Sequence, residues 1–252
     1  MAARNTRIEG TRLAGARFAS ARFASIATAW VLALSLSLPL AAEIDDPYQS
    51  INRRVFAFNE FMDRWLLKPV AQGYRWVTPE FVDRGVTNFF SNLGEIRNLL
   101  NSGLQGDFRQ AGTATGRFLT NSTVGIGGLI DVATEIGLPH RREDFGQTLA
   151  VWGADSGPYI VLPFLSGSSI RDAFGTMPDV YTSPLTYMDD VAWRNSLRAL
   201  DLVDTRADLI DSEALLSGDR YTFLRDIYSQ RREAAINNGQ SSGTVDDFDE
   251  DF

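Results

Sequence analysis

The chain has 252 residues, 44% of them hydrophobic, 11% aromatic and 22% charged. That composition can bury a core, and it argues against a mainly disordered, collagen-like or multi-pass membrane protein. With no cysteine and one histidine, His140, disulfides, thiol nucleophiles, Cys-ligated zinc, iron–sulfur clusters and all-histidine metal sites are excluded, and the net charge of −8 has the wrong sign for binding nucleic acid.

The first 42 residues hold five arginines (Arg4, Arg7, Arg12, Arg17, Arg22) against one acid, Glu9, and residues 23–42 carry no charge. A basic start followed by the apolar stretch 26–40 reads as an export signal that keeps its arginines on the cytoplasmic side. Without this segment, residues 43–252 carry −12. A cut after Ala41 or Ala42 puts Pro39 or Leu40 where a small residue is usual, so cleavage and retention as an anchor both stand.

From there the hydrophobic spacing favours helices. Asp46 as N-cap and Pro47 at the first turn start one, with Ile51, Val55, Phe58, Met62, Trp65 and Leu66 recurring at three- and four-residue intervals. Asn52, Arg53, Asn59, Glu60 and Asp63 lie opposite, and Lys68 and Pro69 are expected to end the helix. A second helix starts near Pro79 and Glu80, with Val82, Val86, Phe89 and Leu93 on a face widened by Phe81 and Phe90. A third, over residues 107–119, aligns Phe108, Ala111, Thr115 and Phe118. Its Gly112 and Gly116 fit either close helix approach, as in membrane dimers, or ordinary tight packing.

Residues 121–131, NSTVGIGGLID, form a glycine-rich loop that needs flexibility or positive φ. Its glycines do not make a dinucleotide fingerprint, because the third required glycine falls on Ile130. Residues 157–163, GPYIVLP, read as a buried extended piece or a membrane-facing loop. Ser169 and Asp172 have capping-box spacing, opening a short helix expected to stop by Gly175. Longer helices follow over residues 189–210 and 219–237. The last carries Arg220, Arg225, Arg231 and Arg232 among Phe223, Leu224, Ile227 and Tyr228, the pattern of an amphipathic surface helix. Residues 239–252 hold five acids and no base, a tail unable to bury enough surface to order itself.

Catalytic chemistry finds little support. Ser156, in the sequence ADSGP, has the neighbours of a serine-protease nucleophile, but the one histidine lies 16 residues upstream and the strands of a barrel protease are missing. His140, flanked by Pro139, Arg141 and Arg142, reads as an exposed loop residue. The acid pairs Glu143/Asp144, Asp189/Asp190 and Asp246/Asp247 are adjacent in sequence, where side chains diverge. No calcium loop or nucleotide motif is present, and no cofactor, metal or catalytic residue is expected.

Six ordered blocks then carry a resemblance: DPYQSINRRVFAFN at residues 46–59, NFFSNL at 88–93, RFLTNSTVGIGGLIDVA at 117–133, EDFGQTLAVWG at 143–153, GPYIVLP at 157–163 and SSIRDAFG at 168–175. Residues 46–232 resemble the VacJ/MlaA family of outer-membrane proteins of Gram-negative bacteria. The resemblance implies an all-α, single ring-like domain of amphipathic helices in the membrane interface, spanning residues 43–238 between the export segment 1–42 and the tail. It implies removal of mislocalised phospholipid from the outer leaflet, passed through a polar channel to a periplasmic lipid-carrier protein, with a porin trimer as partner. No segment after residue 42 supplies the roughly 20 apolar residues of a span, so the aromatic faces are expected to lie in the interface.

On this view the channel or gate candidates are Asn52, Arg53, Asn59, Asn88, Asn92, Arg117, Asn121, Gly125, Gly127, Gly128, Asp131, Arg171 and Asp172. The membrane-interface candidates are Phe56, Phe58, Phe61, Trp65, Phe89 and Phe90. The family's lipobox cysteine is missing, so attachment through an acylated Cys is not expected. The competing expectation is a non-transporting protein that braces porins. Without the resemblance, the aromatic stripes would read as the core of a soluble helical domain.

Overall fold

A computed structural model describes residues 46–215 and 218–237; the segment read as an export signal and the acidic tail lie outside the described residues. Nine helices are labelled here: α1 (Gln49–Met62), α2 (Lys68–Val77), α3 (Glu80–Leu104), α4 (Phe108–Thr123), α5 (Val132–Glu135), α6 (Phe145–Val151), α7 (Ile170–Thr182), α8 (Val191–Asp208) and α9 (Arg220–Ile236). A two-stranded antiparallel hairpin, β1 (Tyr159–Val161) and β2 (Gly167–Ser169), pairs Tyr159 with Ser169 and Val161 with Gly167. The fold is all-α apart from this hairpin, and residues 157–163 include a buried strand, with Tyr159 and Val161 inside.

Local chemistry accounts for most boundaries. Asp107, Asp144, Ser169 and Asp190 cap α4, α6, α7 and α8 by accepting from backbone N–H groups of the first turn. Three expected boundaries shift. The first helix opens at Gln49, with Asp46 turned to accept from its backbone N–H, and it does not end at Lys68 and Pro69. A π-turn, Asp63–Leu67, joins α1 to α2, and the Lys68 N–H reaches back to the Asp63 carbonyl. Widening one turn accommodates a proline that lacks a donor and would crowd the carbonyl four residues earlier.

The helix opened by Ser169 also runs past Gly175 to Thr182, with Pro178 inside it. Gly175 is a contact residue instead of a stop: a Cβ there would lie 2.5 Å from the Gly146 nitrogen and 2.8 Å from its Cα. The glycine pair lets α6 and α7 touch backbone to backbone. By contrast Gly112 faces open space and Gly116 meets Leu138 Cδ1 at 3.3 Å, so these two do not form a helix-approach motif. Nor is α9 a simple surface helix, since Tyr221 is buried and packs with Tyr159 and Val161 against Phe56 and Tyr228.

Burial is inverted relative to a water-soluble protein. Among the described residues, sixteen buried side chains are polar or charged against nine apolar, and five of those nine are alanines. The largest fully buried side chains include Arg117, Glu95, Glu143 and Asn98. Outside, all four described tryptophans are exposed: Trp65, Trp76, Trp152 and Trp193. On α1 the apolar stripe of Ile51, Phe58 and the adjoining Trp65 and Leu66 points outward, while Asn52 on the opposite side is buried. On α3 the buried stripe is Asn92, Glu95, Asn98, Asn101 and Ser102, with Phe81, Val82, Leu100 and Leu104 exposed. The third expected helix face is rotated likewise: Phe108 is exposed, and Gln110, Ala114, Arg117 and Asn121 turn inward with Ala111. No helix among the described residues is long and apolar enough to cross a membrane.

Gly175→Ala is expected to push α6 from α7 and lower stability by about 1–3 kcal/mol, read as a lower thermal midpoint in detergent; an unchanged midpoint would refute the backbone contact.

Candidate functional site

The buried polar stripes of α3 and α4 meet at Arg117, which is 2% exposed. Its Nε donates to Glu95 Oε1 at 2.5 Å, Nη1 to Thr134 Oγ1 at 3.0 Å and the Leu138 carbonyl at 2.5 Å, and Nη2 to both Asp131 oxygens at 3.2 and 3.1 Å. Glu95 also accepts from Asn98 Nδ2 at 2.9 Å and lies 2.8 Å from His140 Nδ1. His140 is on an exposed loop as expected, yet its ring is tied to a buried carboxylate. Arg117 thus joins two helices to the segment that follows α4.

That segment is the glycine loop. Ile126, Gly127 and Gly128 have φ of 54°, 70° and 93°, meeting the expectation of positive φ. At Gly128 a Cβ would lie 2.7 Å from Asn92 Nδ2, and at Gly125 one would lie 2.5 Å from the Asn121 carbonyl. Asn92 donates to Ser122 Oγ at 2.9 Å, and Asn88 to the Leu129 carbonyl at 3.1 Å. Asn121 spans the base, giving a hydrogen bond to Asp131 Oδ1 at 3.0 Å and taking one from the Ala133 N–H at 2.8 Å. The backbone is pinned while Val124, Ile126, Leu129 and Ile130 are exposed, so the loop offers an apolar surface on a polar footing.

A second cluster lies where α6, α7 and α9 meet. Arg232 from α9 donates to Asp144 at 2.6 and 2.8 Å and to Asp172 Oδ1 at 2.6 Å. Asp172 also accepts from Arg171 Nε at 3.0 Å and from the Tyr228 hydroxyl. Asn52 holds β1 through the Tyr159 carbonyl at 3.0 Å and the Val161 N–H at 2.9 Å. Asn59 does the same for the hairpin tip, bonding the Leu162 and Leu165 carbonyls at 2.9 and 2.8 Å and the Phe164 N–H at 2.8 Å. Arg53 is more exposed; it pairs with Asp219 and lies 4.4 Å from the Tyr221 ring centroid.

The channel candidates therefore fall into groups: Asn88, Asn92, Arg117, Asn121, Gly125, Gly127, Gly128 and Asp131 come together around the loop, Arg171 and Asp172 sit in the second cluster, and Asn52, Arg53 and Asn59 tie α1 to β1, the hairpin tip and Asp219. Of the membrane candidates, Phe58, Phe61 and Trp65 are exposed. Phe56 packs edge-on against Tyr221 at 5.6 Å, and the half-buried Phe89 and Phe90 pack against each other at 5.3 Å. Glu95, Asn98, Asn101, Glu143, Asp144 and Arg232 were not anticipated. Their signal was present in α3, where the polar residues 92, 95, 98 and 102 recur at helical spacing. Ser156 is exposed, and His140 is engaged with Glu95. No group of His, Asp or Glu among the described residues could hold a metal ion.

Burial raises the Asp131 and Asp144 carboxyls, but hydrogen bonds outweigh it and both fall to about 2. The donors are Thr134, Asn121 and Arg117 for Asp131, and Arg232 and Gln147 for Asp144. On α8, burial raises Asp201, Asp204 and Asp208, and repulsion adds to it, from Asp204 on Asp201 and Asp208 and from Asp83 on Asp204 and Asp208.

An interior of paired charges beneath exposed aromatic side chains suits a protein whose surroundings are partly hydrocarbon. The family model described as MlaA lipoprotein matches residues 44–235. The chain belongs to the MlaA lipoprotein family. The Escherichia coli K12 protein called intermembrane phospholipid transport system lipoprotein MlaA is 36% identical over 209 residues, 77% of this chain and 80% of its own. The Haemophilus influenzae protein of the same name is 30% identical, over 79% and 82%. A solved structure described as "Structural basis for maintenance of bacterial outer membrane lipid asymmetry" matches with TM-score 0.68 and 34% identity, over 77% of this chain and 100% of its own. Relatives in the family are called lipoproteins, whereas this sequence contains no cysteine to acylate.

Removing Arg117 takes the guanidinium from Glu95 and Asp131, leaving them only Asn98, His140, Asn121 and Thr134, so Arg117→Met is expected to cost about 3–5 kcal/mol in chemical denaturation, with Glu95→Met/Arg117→Met recovering part of it; a neutral single variant would sink the hub. Asp131 and Asp144 titrate below the ordinary 3.8 when folded. They therefore add stability above about pH 4 that is lost as pH falls toward about 2, while the raised α8 acids act in the opposite sense, favouring the fold at low pH. Asp144→Asn should flatten the decline of thermal midpoint below about pH 4.

Proposed function

We propose that this protein removes mislocalised phospholipid from the outer leaflet of the outer membrane and passes it, through a polar passage among its helices, to a periplasmic lipid carrier. The observation that carries the reading is the inversion of burial: polar stripes inside, aromatic and aliphatic side chains outside. A phospholipid crossing a bilayer meets a barrier because its headgroup must enter hydrocarbon or its chains must enter water. A body with polar contacts within and apolar faces without lowers both costs, and no covalent step is needed. The names of the Escherichia coli and Haemophilus relatives, which place them in intermembrane phospholipid transport, agree with this reading.

In this proposal the protein sits at the periplasmic side of the outer membrane, held by its exposed faces and a porin trimer and without Cys acylation. The loop carrying Gly125, Gly127 and Gly128 is the gate: its apolar tip follows the chains while Asn92, Arg117, Asn121 and Asp131 fix its base. The alternative, a porin brace without transport, draws on the same apolar faces, which a protein surface can cover as well as lipid.

Cells lacking the gene are expected to show phospholipid on their surface, measured with a membrane-impermeant amine label. Gly128→Val, whose side chain meets Asn92, should reproduce that phenotype with the protein still present in the outer-membrane fraction. Normal asymmetry in the deletion strain, together with retained porin association of the wild type, would favour the brace.

A further inference from the structure

Three arginines from different parts of the chain converge where α3, the segment before α6 and α9 meet. Arg97 on α3 spends only its Nε, which donates to the Glu143 carbonyl at 3.1 Å; its terminal nitrogens make no hydrogen bond or ion pair among the described residues. That tether sets its guanidinium against the residue that follows Arg142. The Arg142 carbonyl is held by Gln147 Nε2 at 3.1 Å, while its guanidinium makes no hydrogen bond or ion pair among the described residues. From the other side, Arg232 grips Asp144 at 2.6 and 2.8 Å. Its neighbour Arg231, whose guanidinium also lacks such a bond among the described residues, is brought to the same place.

Unlike the matched guanidinium of Arg117, these groups can be reached: Arg142 and Arg231 are exposed and Arg97 is half-buried. They are also crowded. Burial, then repulsion from Arg97 and Arg231, holds the Arg142 guanidinium below the ordinary arginine value, with Asp201 and Asp144 opposing. A side chain that is exposed and yet desolvated by surrounding protein stands in a concavity, not on an open face. Arginine does not relieve like-charge repulsion by losing its proton, so the cluster costs stability until an anion enters.

The neighbouring acids leave room for that anion. Asp144 is engaged by Arg232 and Gln147, and Asp179, which also faces Arg97, accepts from Asn101 and the Phe145 N–H. Asp201 on α8 faces Arg142 and Arg97 and makes no hydrogen bond among the described residues. Three open guanidinium groups therefore meet one unengaged carboxylate, an excess of positive charge. Guanidinium forks arriving from three elements suit a tetrahedral oxyanion, with oxygens on several sides, better than a planar carboxylate. With Asp201 close by, a phosphodiester with its single charge fits better than a phosphomonoester carrying nearly two.

Resting on the phospholipid reading above and deepening it, we propose that Arg97, Arg142 and Arg231 form a subsite for the phosphodiester group of a phospholipid, with Asp201 opposing them and keeping the hold weak enough for release.

The test uses the full chain in detergent micelles doped with phosphatidylglycerol or with diacylglycerol, which lacks the phosphate; retained lipid is read by native mass spectrometry. Wild type should retain phosphatidylglycerol about tenfold better, the effect of one charge-assisted hydrogen bond. Arg142→Gln and Arg231→Gln should bring the two lipids close to parity while the thermal midpoint stays level or rises, because each removes repulsion and no bond. Asp201→Asn should raise phosphatidylglycerol retention about threefold. Should Arg142→Gln lower the midpoint, Arg231→Gln and Asp201→Asn decide. Wild-type parity, or retention unchanged in all three variants, would overturn the subsite. Inorganic phosphate displacing the lipid at equal concentration would assign the cluster to free phosphate and overturn it too. The transport reading survives either result if deletion cells accumulate surface phospholipid. Normal asymmetry in those cells sinks that reading by itself, whatever the micelles show.

Discussion

The structure depends on Arg117 and the carboxylates it binds. With most large apolar side chains turned outward, Leu185 is the one buried leucine and no phenylalanine is buried among the described residues, and cohesion passes largely to hydrogen bonds and ion pairs. Such an interior holds only if its polar groups are matched, since a buried charge with one partner removed costs several times what the intact pair contributes. Arg117 meets that condition by giving every nitrogen of its guanidinium to an acceptor. The second cluster meets it less completely, leaving one donor each on Arg171 and Arg232.

The inversion also changes what the surroundings must be. In water, Trp76, Phe81 and Phe108 at 88%, 75% and 77% exposure forfeit the burial energy of three of the largest apolar side chains, about 1.5–3 kcal/mol for a side chain such as Phe. Hydrocarbon, or a protein partner, removes that loss. Close packing of small residues then matters more, because lipid supplies no hydrophobic drive to press helices together. The backbone contact between Gly146 and Gly175 is one answer to that need.

Most of the long helices were legible in the sequence, since periodicity is local, but α2 and α6 were not read as helices. Ser169 could be matched to its helix start because a cap needs only its own next three residues, whereas Asp46, read as a cap, lies ahead of a helix that opens at Gln49. Helix ends were less legible. Pro69 and Gly175 are local stop signals overridden by tertiary structure, one by a π-turn and the other by a backbone that needed the missing Cβ. Which face turns inward was the least legible, because periodicity fixes a stripe without saying which solvent it meets. On α3 the decisive clue was not the aromatic stripe but the asparagines and the glutamate recurring opposite it. The partners of Arg117 were beyond local reading, for the glutamate lies 22 residues away and the aspartate 14.

Matched interior charge and an apolar exterior also bear on how lipid movement acquires a direction under the proposed function. A passage that offers headgroup contacts along a path beside hydrocarbon lowers a barrier equally in both directions, so the protein by itself sets rate and not direction. Under the transport reading proposed above, direction follows from whatever removes the lipid at the far end, where tighter binding by an acceptor draws it away. Under that arrangement strong retention within the passage would be a defect, because a deep well slows release as surely as a barrier slows entry.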